Sequence, residues 1–149
     1  MKLEDEIKQK KFKDEYHKLA VNIIYTHGWL LNHQSAFFKK FGITGAQYNI
    51  LRILRGQHPG PASINLLKER MLDKMSDASR LVERLKSKGL VEREICPDDR
   101  RKVEVKITEK GMDLLAEMDK IEDQFEKLFK GIKSGEAKTL NELLDRLRG

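Results

Sequence analysis

The strongest constraint on the fold of this chain is a change of period at Gly89. On its N-terminal side Ala78, Leu81, Val82 and Leu85 recur at helical spacing, within a segment of roughly Met75 to Lys88. On its C-terminal side Val103, Val105 and Ile107 alternate with Lys102, Glu104 and Lys106, the two-residue period of a half-buried strand. Glycine at the junction suits the left-handed backbone that ends helices. Leu90 to Cys96 is a second short strand, and the charged stretch Pro97-Asp98-Asp99-Arg100-Arg101 between the two reads as a turn. A helix therefore runs directly into a β-hairpin.

Upstream, Ser63 is placed to cap a short helix carrying Ile64, Leu66, Leu67 and Met71, and a brief turn around Leu72-Asp73-Lys74 separates it from the Met75–Lys88 helix. The Gly- and Pro-rich stretch from Gly56 to Pro61 is a loop, and before it a helix capped by Thr44 carries Tyr48, Ile50, Leu51 and Leu54. The order helix, short helix, tight turn, helix, hairpin is that of a winged helix-turn-helix. The fold class expected is mainly α with a small β-hairpin wing, flanked by helical dimerisation segments. On this reading residues 1–41 are N-terminal dimerisation helices, 42–110 the winged lobe and 111–149 C-terminal dimerisation helices.

The flanking segments carry the spacing of helices that pack along other helices. One or two helices span about Leu3 to Lys40, with Phe12, Tyr16, Leu19, Ile23, His27, Leu30, Gln34, Phe37 and Phe41 in alternating four- and three-residue steps. Thr108 should cap a long helix bearing Leu114, Met118, Ile121, Phe125 and Leu128. After a break from Gly131 to Gly135, Ala137, Leu140, Leu144 and Leu147 continue the pattern.

Charge and composition narrow the partners. Charged residues make up 36% of the 149 residues and the net charge is +6. Residues 1–62 hold ten Lys/Arg against five Asp/Glu, residues 63–110 thirteen against ten, and residues 111–149 seven against nine. The basic excess thus avoids the C-terminal segment, as expected of a chain that meets a polyanion with its other parts. A single cysteine, Cys96, allows no intrachain disulfide and points to a reducing compartment. No apolar stretch resembles a secretory signal or a membrane span, so the expectation is a cytoplasmic protein without membrane contact.

The face of the Met75–Lys88 helix opposite Ala78, Val82 and Leu85 holds Ser76, Arg80, Glu83 and Ser87, flanked by Asp77, Ser79 and Arg84. A helix of this length fits the major groove of double-stranded DNA. Arg80 is the first candidate for base readout, because a guanidinium bonds guanine O6 and N7 together. Ser76 and Ser79 suit bases or phosphates, Met75 a thymine methyl, and Arg84 a phosphate. The hairpin turn adds Arg100, Arg101 and Lys102, placed for an adjacent minor groove, whose negative potential attracts arginine. Asp99 is expected to hold an arginine side chain and shape the turn.

With these residues in hand, the chain resembles the MarR (multiple antibiotic resistance regulator) family over nearly its full length. Four stretches carry the resemblance: Gly42 to Leu51, Ser79 to Leu85 followed by Gly89-Leu90-Val91, Asp99-Arg100-Arg101, and Ile107 to Gly111. The resemblance implies a homodimer built by the terminal helices and a transcriptional regulator, most simply a repressor, on a palindromic operator. It further implies Arg101 as the minor-groove arginine buttressed by Asp99. In many members a small hydrophobic or phenolic effector enters the crevice between lobes and releases DNA. One departure is the Asp73-Lys74-Met75-Ser76 entry to the recognition helix, where the family usually has a Ser or Thr cap. Either Asp73 caps this helix or Ser76 starts it later, and Asp77 either accepts from a cytosine or caps a local amide.

Other chemistries find little support. Four histidines without paired spacing to cysteine make a metal site improbable, and no cofactor is expected. Cys96, at the end of a wing strand, reads as a small buried hydrophobe and not as a redox sensor. The polar seam positions His27 and Gln34 read first as partners in an interhelix or intersubunit hydrogen bond. Their second reading is an effector crevice shared with Tyr25 and Trp29. No phosphate loop, nucleophile elbow or metal-ligand set suggests an enzyme. A winged-helix module for protein contacts alone would be expected to lose the basic turn and the polar outward face, and this chain keeps both.

Overall fold

The winged lobe is assembled from short helices whose ends are closed by side chains. The computed structural model describes all residues, Met1–Gly149, in two units, Met1–Gly45 and Ala46–Gly149. In the second unit α3 (Gly45–Gln57) buries Ile50, Leu51 and Leu54. Ser63 accepts the Leu66 amide at 3.1 Å and so starts α4 (Ile64–Arg70), which buries Leu67. Helix α5 (Ala78–Ser87) buries Ala78, Val82 and Leu85 completely, the stripe expected from their spacing. It ends on Gly89, whose φ of +73° is a backbone conformation that side chains with a Cβ resist.

The hairpin forms as β2 (Val91–Ile95) and β3 (Val103–Ile107), antiparallel, with Val91 opposite Ile107 and Ile95 opposite Val103. A third strand, β1 (Ala62–Ser63), pairs with the far side of β3, so the sheet order is β1-β3-β2. Two residues are too few to show an alternation, and nothing in the sequence announced this strand. Val105, paired with both Ala62 and Arg93, is fully buried in the middle of the sheet.

Thr108 starts α6 (Glu109–Asp119) as expected, and it does two tasks at once. Its hydroxyl oxygen accepts the Gly111 amide at 3.1 Å and its hydroxyl donates to the Gly89 carbonyl at 2.7 Å. The helix start is thereby tied to the end of α5. Gly111 is required by the closeness of this junction, because a Cβ there would lie 2.4 Å from the Leu90 carbonyl oxygen. The long helix expected beyond it is interrupted. Ile121 and Glu122 donate to Met118 and Asp119, three residues back, and the chain then forms the short α7 (Asp123–Glu126) and a 3₁₀ turn at Lys127–Phe129. Helix α8 (Ser134–Arg148) follows, with Leu140, Leu143 and Leu147 exposed.

In the first unit a short α1 (Leu3–Glu6) precedes α2 (Glu15–Lys39), which Asp14 caps by accepting the His17 amide at 2.8 Å. Phe12, assigned to the helical seam, lies before the helix and sets its ring edge-on to His17. Two side-chain contacts fold α1 back on α2. Lys18 donates to Glu4, and the Tyr25 hydroxyl donates to Glu6 at 2.8 Å. The lysine holds the Glu4 carboxyl below its ordinary pKa, and Glu6 pushes the Tyr25 phenol above its own. Along α2, Ile23, Leu30, Gln34 and Phe37 are half-buried, while Tyr16, Leu19, Ile24 and Leu31 are exposed to solvent in the single chain. No helix is long and apolar enough to cross a membrane.

Candidate nucleic-acid interface

Helix α5 begins three residues later than its apolar pattern suggested. Neither Asp73 nor Ser76 caps it. Asp77 is the N-cap, and its Oδ1 accepts the Arg80 amide at 3.1 Å. Asp73 acts one step earlier: its Oδ1 accepts the Met75 amide at 2.9 Å and its carbonyl the Ser76 amide at 3.2 Å. Three good capping residues compete within five positions, so spacing alone could not choose among them. Met75, Ser76 and Asp77 therefore belong to a structured turn, with Met75 exposed and Ser76 half-buried.

The outward face of α5 is as its spacing required. Ser79, Arg80, Glu83, Arg84 and Ser87 are exposed opposite the buried stripe. The face is not uniformly open, however. Ser87 donates to the Glu83 carbonyl at 3.0 Å, and the Glu83 carboxylate forms an ion pair with Arg93 on β2. This pair ties the outward face of α5 to the wing strand, and no spacing rule announces it. Arg80 and Arg84 engage no carboxylate, unlike Arg93, Arg148 with Asp145, and Arg55, which reaches Asp119 at 2.7 Å. At the other end of α5, Lys88 donates at 3.2 Å to Gln47, a buried polar side chain of α3, and Lys110 donates to the Lys88 carbonyl at 2.8 Å.

The wing turn has its basic residues free as well. Arg100, Arg101 and Lys102 are exposed and unpaired, and Asp99 is half-buried. Asp99 shapes the turn as expected, yet by a different contact. Its Oδ1 accepts the Arg101 backbone amide at 3.0 Å instead of an arginine side chain, and its carbonyl accepts the Lys102 amide at 2.9 Å. The Arg101 guanidinium is left free to point elsewhere. Cys96, expected to be buried, is a half-buried free thiol whose amide donates to Lys102 and closes the hairpin end.

The turn between α4 and α5 adds residues the sequence reading passed over. Asn49 on α3 accepts the Leu72 amide at 2.9 Å, and Lys74 folds back to donate to the carbonyl of Glu69 at the end of α4. Neither contact has a sequence signature, since each joins groups whose proximity exists only in the folded lobe.

The four residues assigned to an effector crevice do not share one wall. All lie on α2, where a step of about 100° per residue places Tyr25 and Trp29 on one side and His27 and Gln34 on the other. Trp29 stacks edge-on with His33 at 4.7 Å between ring centres, and Tyr25 is held by Glu6. A crevice lined by one copy of α2 can use one of these pairs, not both. No group of three or more His, Cys, Asp or Glu side chains is placed to hold a metal ion.

Comparison with known proteins adds four findings. A model of the MarR family matches residues 41–102. The HTH-type transcriptional repressor IacR of Pseudomonas putida is 28% identical over 120 residues, which are 80% of this chain and 71% of IacR. A crystal structure of a cysteine-to-serine mutant of MarR from E. coli, complexed with operator DNA, superposes with a TM-score of 0.79 and 25% identity, covering 93% of this chain and 99% of the other. BpsR of Bordetella bronchiseptica, whose DNA binding is regulated by 6-hydroxynicotinic acid, superposes with a TM-score of 0.67 and 25% identity over 86% and 99% of the two chains.

Proposed function

We propose that this chain, whose residues 41–102 match the MarR family model, is a homodimeric repressor that reads a pseudo-palindromic operator with α5 and the wing. The observation that carries this reading is the pairing pattern of the arginines. Arg80, Arg84, Arg100 and Arg101 are exposed and without carboxylate partners, on the two elements that a winged helix presents to DNA. Unpaired guanidiniums keep all five donors for guanine edges or phosphates. In this scheme Arg80 reads a base, Ser79 and Arg84 hold the register through phosphates, and Arg101 enters the minor groove beside Arg100 and Lys102. Asp99 and Asp77 act on backbone amides and set the turn and helix start from which those side chains project. The operator-bound MarR structure and the repressor IacR support the same assignment by likeness.

The dimer is supported by the apolar surface left open on the terminal helices, among them Tyr16, Ile24 and Leu31 of α2 and Leu140, Leu143 and Leu147 of α8. On this reading residues 1–41 and 111–149 form the dimer body and 42–110 the DNA-binding lobe. A small phenolic or hydrophobic effector, by analogy with the regulation of BpsR, would meet the aromatic pair Tyr25 and Trp29. It lowers DNA affinity by the same factor by which DNA lowers its own.

The test is to select bound duplexes from a random pool and titrate one of them across a salt series. Affinity should fall steeply with salt as counterions are released, with a log–log slope of about 0.9 per phosphate contacted. Salt-independent binding, or none, would reject the assignment. Sedimentation of the free protein checks the dimer, and a panel of phenolic acids competed on the selected duplex checks the effector.

A further inference from the structure

Leu72 is 88% and Met75 92% exposed, the most open large apolar side chains apart from the terminal Met1. They flank the turn that leads into α5, and their exposure is not a consequence of a loose chain. Asn49 holds the Leu72 amide, Asp73 the Met75 amide and Asp77 the Arg80 amide, so the backbone is tied at three points between 72 and 80. Met71, immediately before, is 2% exposed, so the chain turns from core to surface within one residue. Turns of this kind normally present polar side chains to water. Here Asp73 and Asp77 each turn one carboxylate oxygen onto a backbone amide. The Lys74 ammonium, which could have met a phosphate, is folded back on the C-terminal carbonyl of α4.

We propose that Leu72 and Met75 form an apolar edge that contacts thymine C5 methyl groups in the major groove, so that this turn, as well as helix α5, selects sequence. The inference rests on the DNA-binding function proposed above. In a helix-turn-helix the start of the second helix is the part that reaches base edges, and Leu72 and Met75 lie six and three residues before the first residue of α5, Ala78. The thymine methyl is the one apolar group that any base displays there, and it is read by apolar contact. A turn with its carboxylates bonded to amides and its lysine withdrawn offers phosphates no ammonium. Its most exposed side chains apart from the charged ones are the Leu72 and Met75 hydrocarbons, and these match a methyl group better than any polar base edge.

The test uses the full-length protein and a duplex selected from a random pool. Each thymine is replaced in turn by deoxyuridine, which removes the methyl and leaves base pairing intact. At one or two positions per half-site affinity should fall about threefold to fivefold, the size expected for one buried methyl group. In Leu72→Ser and in Met75→Ser the thymine and deoxyuridine duplexes should bind alike at the position each residue reads. Both residues are exposed, and circular dichroism together with the salt slope of binding to an unrelated duplex should match the unaltered protein. If a selected duplex binds but no thymine is sensitive to methyl removal, the inference falls while the DNA-binding reading stands; that result would leave the pair to a protein surface. It falls equally if the sensitivity persists unchanged in both variants. If no duplex is selected, the functional reading falls first.

Discussion

The two turns that face outward from the winged lobe are built by one device and carry opposite chemistry. Between α4 and α5, Asp73 accepts the amide two residues on, that of Met75, at 2.9 Å. In the wing, Asp99 accepts the amide two residues on, that of Arg101, at 3.0 Å. Each aspartate spends one carboxylate oxygen on shaping its own turn. The first turn then exposes Leu72 and Met75 and withdraws Lys74, whereas the second exposes Arg100, Arg101 and Lys102. A short carboxylate fixes the backbone in both places, and the neighbouring side chains are free to differ. On the proposed reading the first turn meets methyl groups and the second meets phosphates or the minor groove.

The largest expected effect removes part of the core that α5 packs into. Leu85 is fully buried on α5. Leu85→Ala should cost about 2–5 kcal/mol of stability from lost burial and the cavity left behind, read by urea denaturation. Loss of DNA binding in that variant must follow the loss of fold, since it distinguishes neither turn.

Next come the arginines, which separate the turns directly. Arg80→Ala should weaken binding to a selected operator by about 1–3 kcal/mol and relax preference at one base position. Arg101→Ala should lower the log–log salt slope by about one and act most on duplexes with A·T-rich flanks. Unchanged affinity in both variants would mean that the DNA face has been assigned to the wrong side of the lobe. The aspartates sharpen the same contrast with a smaller effect. Replacing Asp99 by Ala removes one side-chain acceptor, worth about 1 kcal/mol, and should act on the wing. It should lower affinity for A·T-flanked duplexes with little change in unfolding. Asp73→Ala should instead alter preference at thymine positions. Exchange of these two outcomes would dissolve the distinction between the turns.

Much of this arrangement was legible in the sequence, and the misses share a cause. Ser63 and Thr108 announced two helix starts because each stands alone before an apolar stripe, and the alternation of Val103, Val105 and Ile107 announced the wing strand. The start of α5 was not legible, because Asp73, Ser76 and Asp77 all have capping chemistry and only tertiary contacts, such as Asn49 with Leu72, choose among them. The end of α6 was hidden for the converse reason. Leu114, Met118, Ile121 and Phe125 keep helical spacing straight through Lys120, where the hydrogen bonds tighten without a Gly or Pro to mark the change. Of the interface, residue types and faces could be read from spacing. Pairings such as Glu83 with Arg93 could not, because they join an helix to a strand ten residues away.

The smallest predicted effect concerns the wing alone and makes its comparison with the first turn quantitative. In the hairpin Glu94 stands opposite Glu104, while two residues along Glu92 stands opposite Lys106. Like charges directly across an antiparallel pair oppose each other, and opposite charges attract. Glu94→Lys converts the repulsive pair into an attractive one and should stabilise the hairpin by about 0.2–1 kcal/mol. Most of that gain should vanish at high salt, where exposed charges are screened beyond a few ångströms. The wing amides of β2 and β3 should show slower hydrogen exchange in this variant at low salt, and those of the Leu72–Asp77 turn should not change. Because the substitution also adds positive charge beside the wing arginines, nonspecific DNA affinity should rise at low salt, while discrimination at thymine positions stays as it was. Protection that spreads to the first turn would show that the two turns are coupled through the Glu83–Arg93 pair and do not act as separate readers.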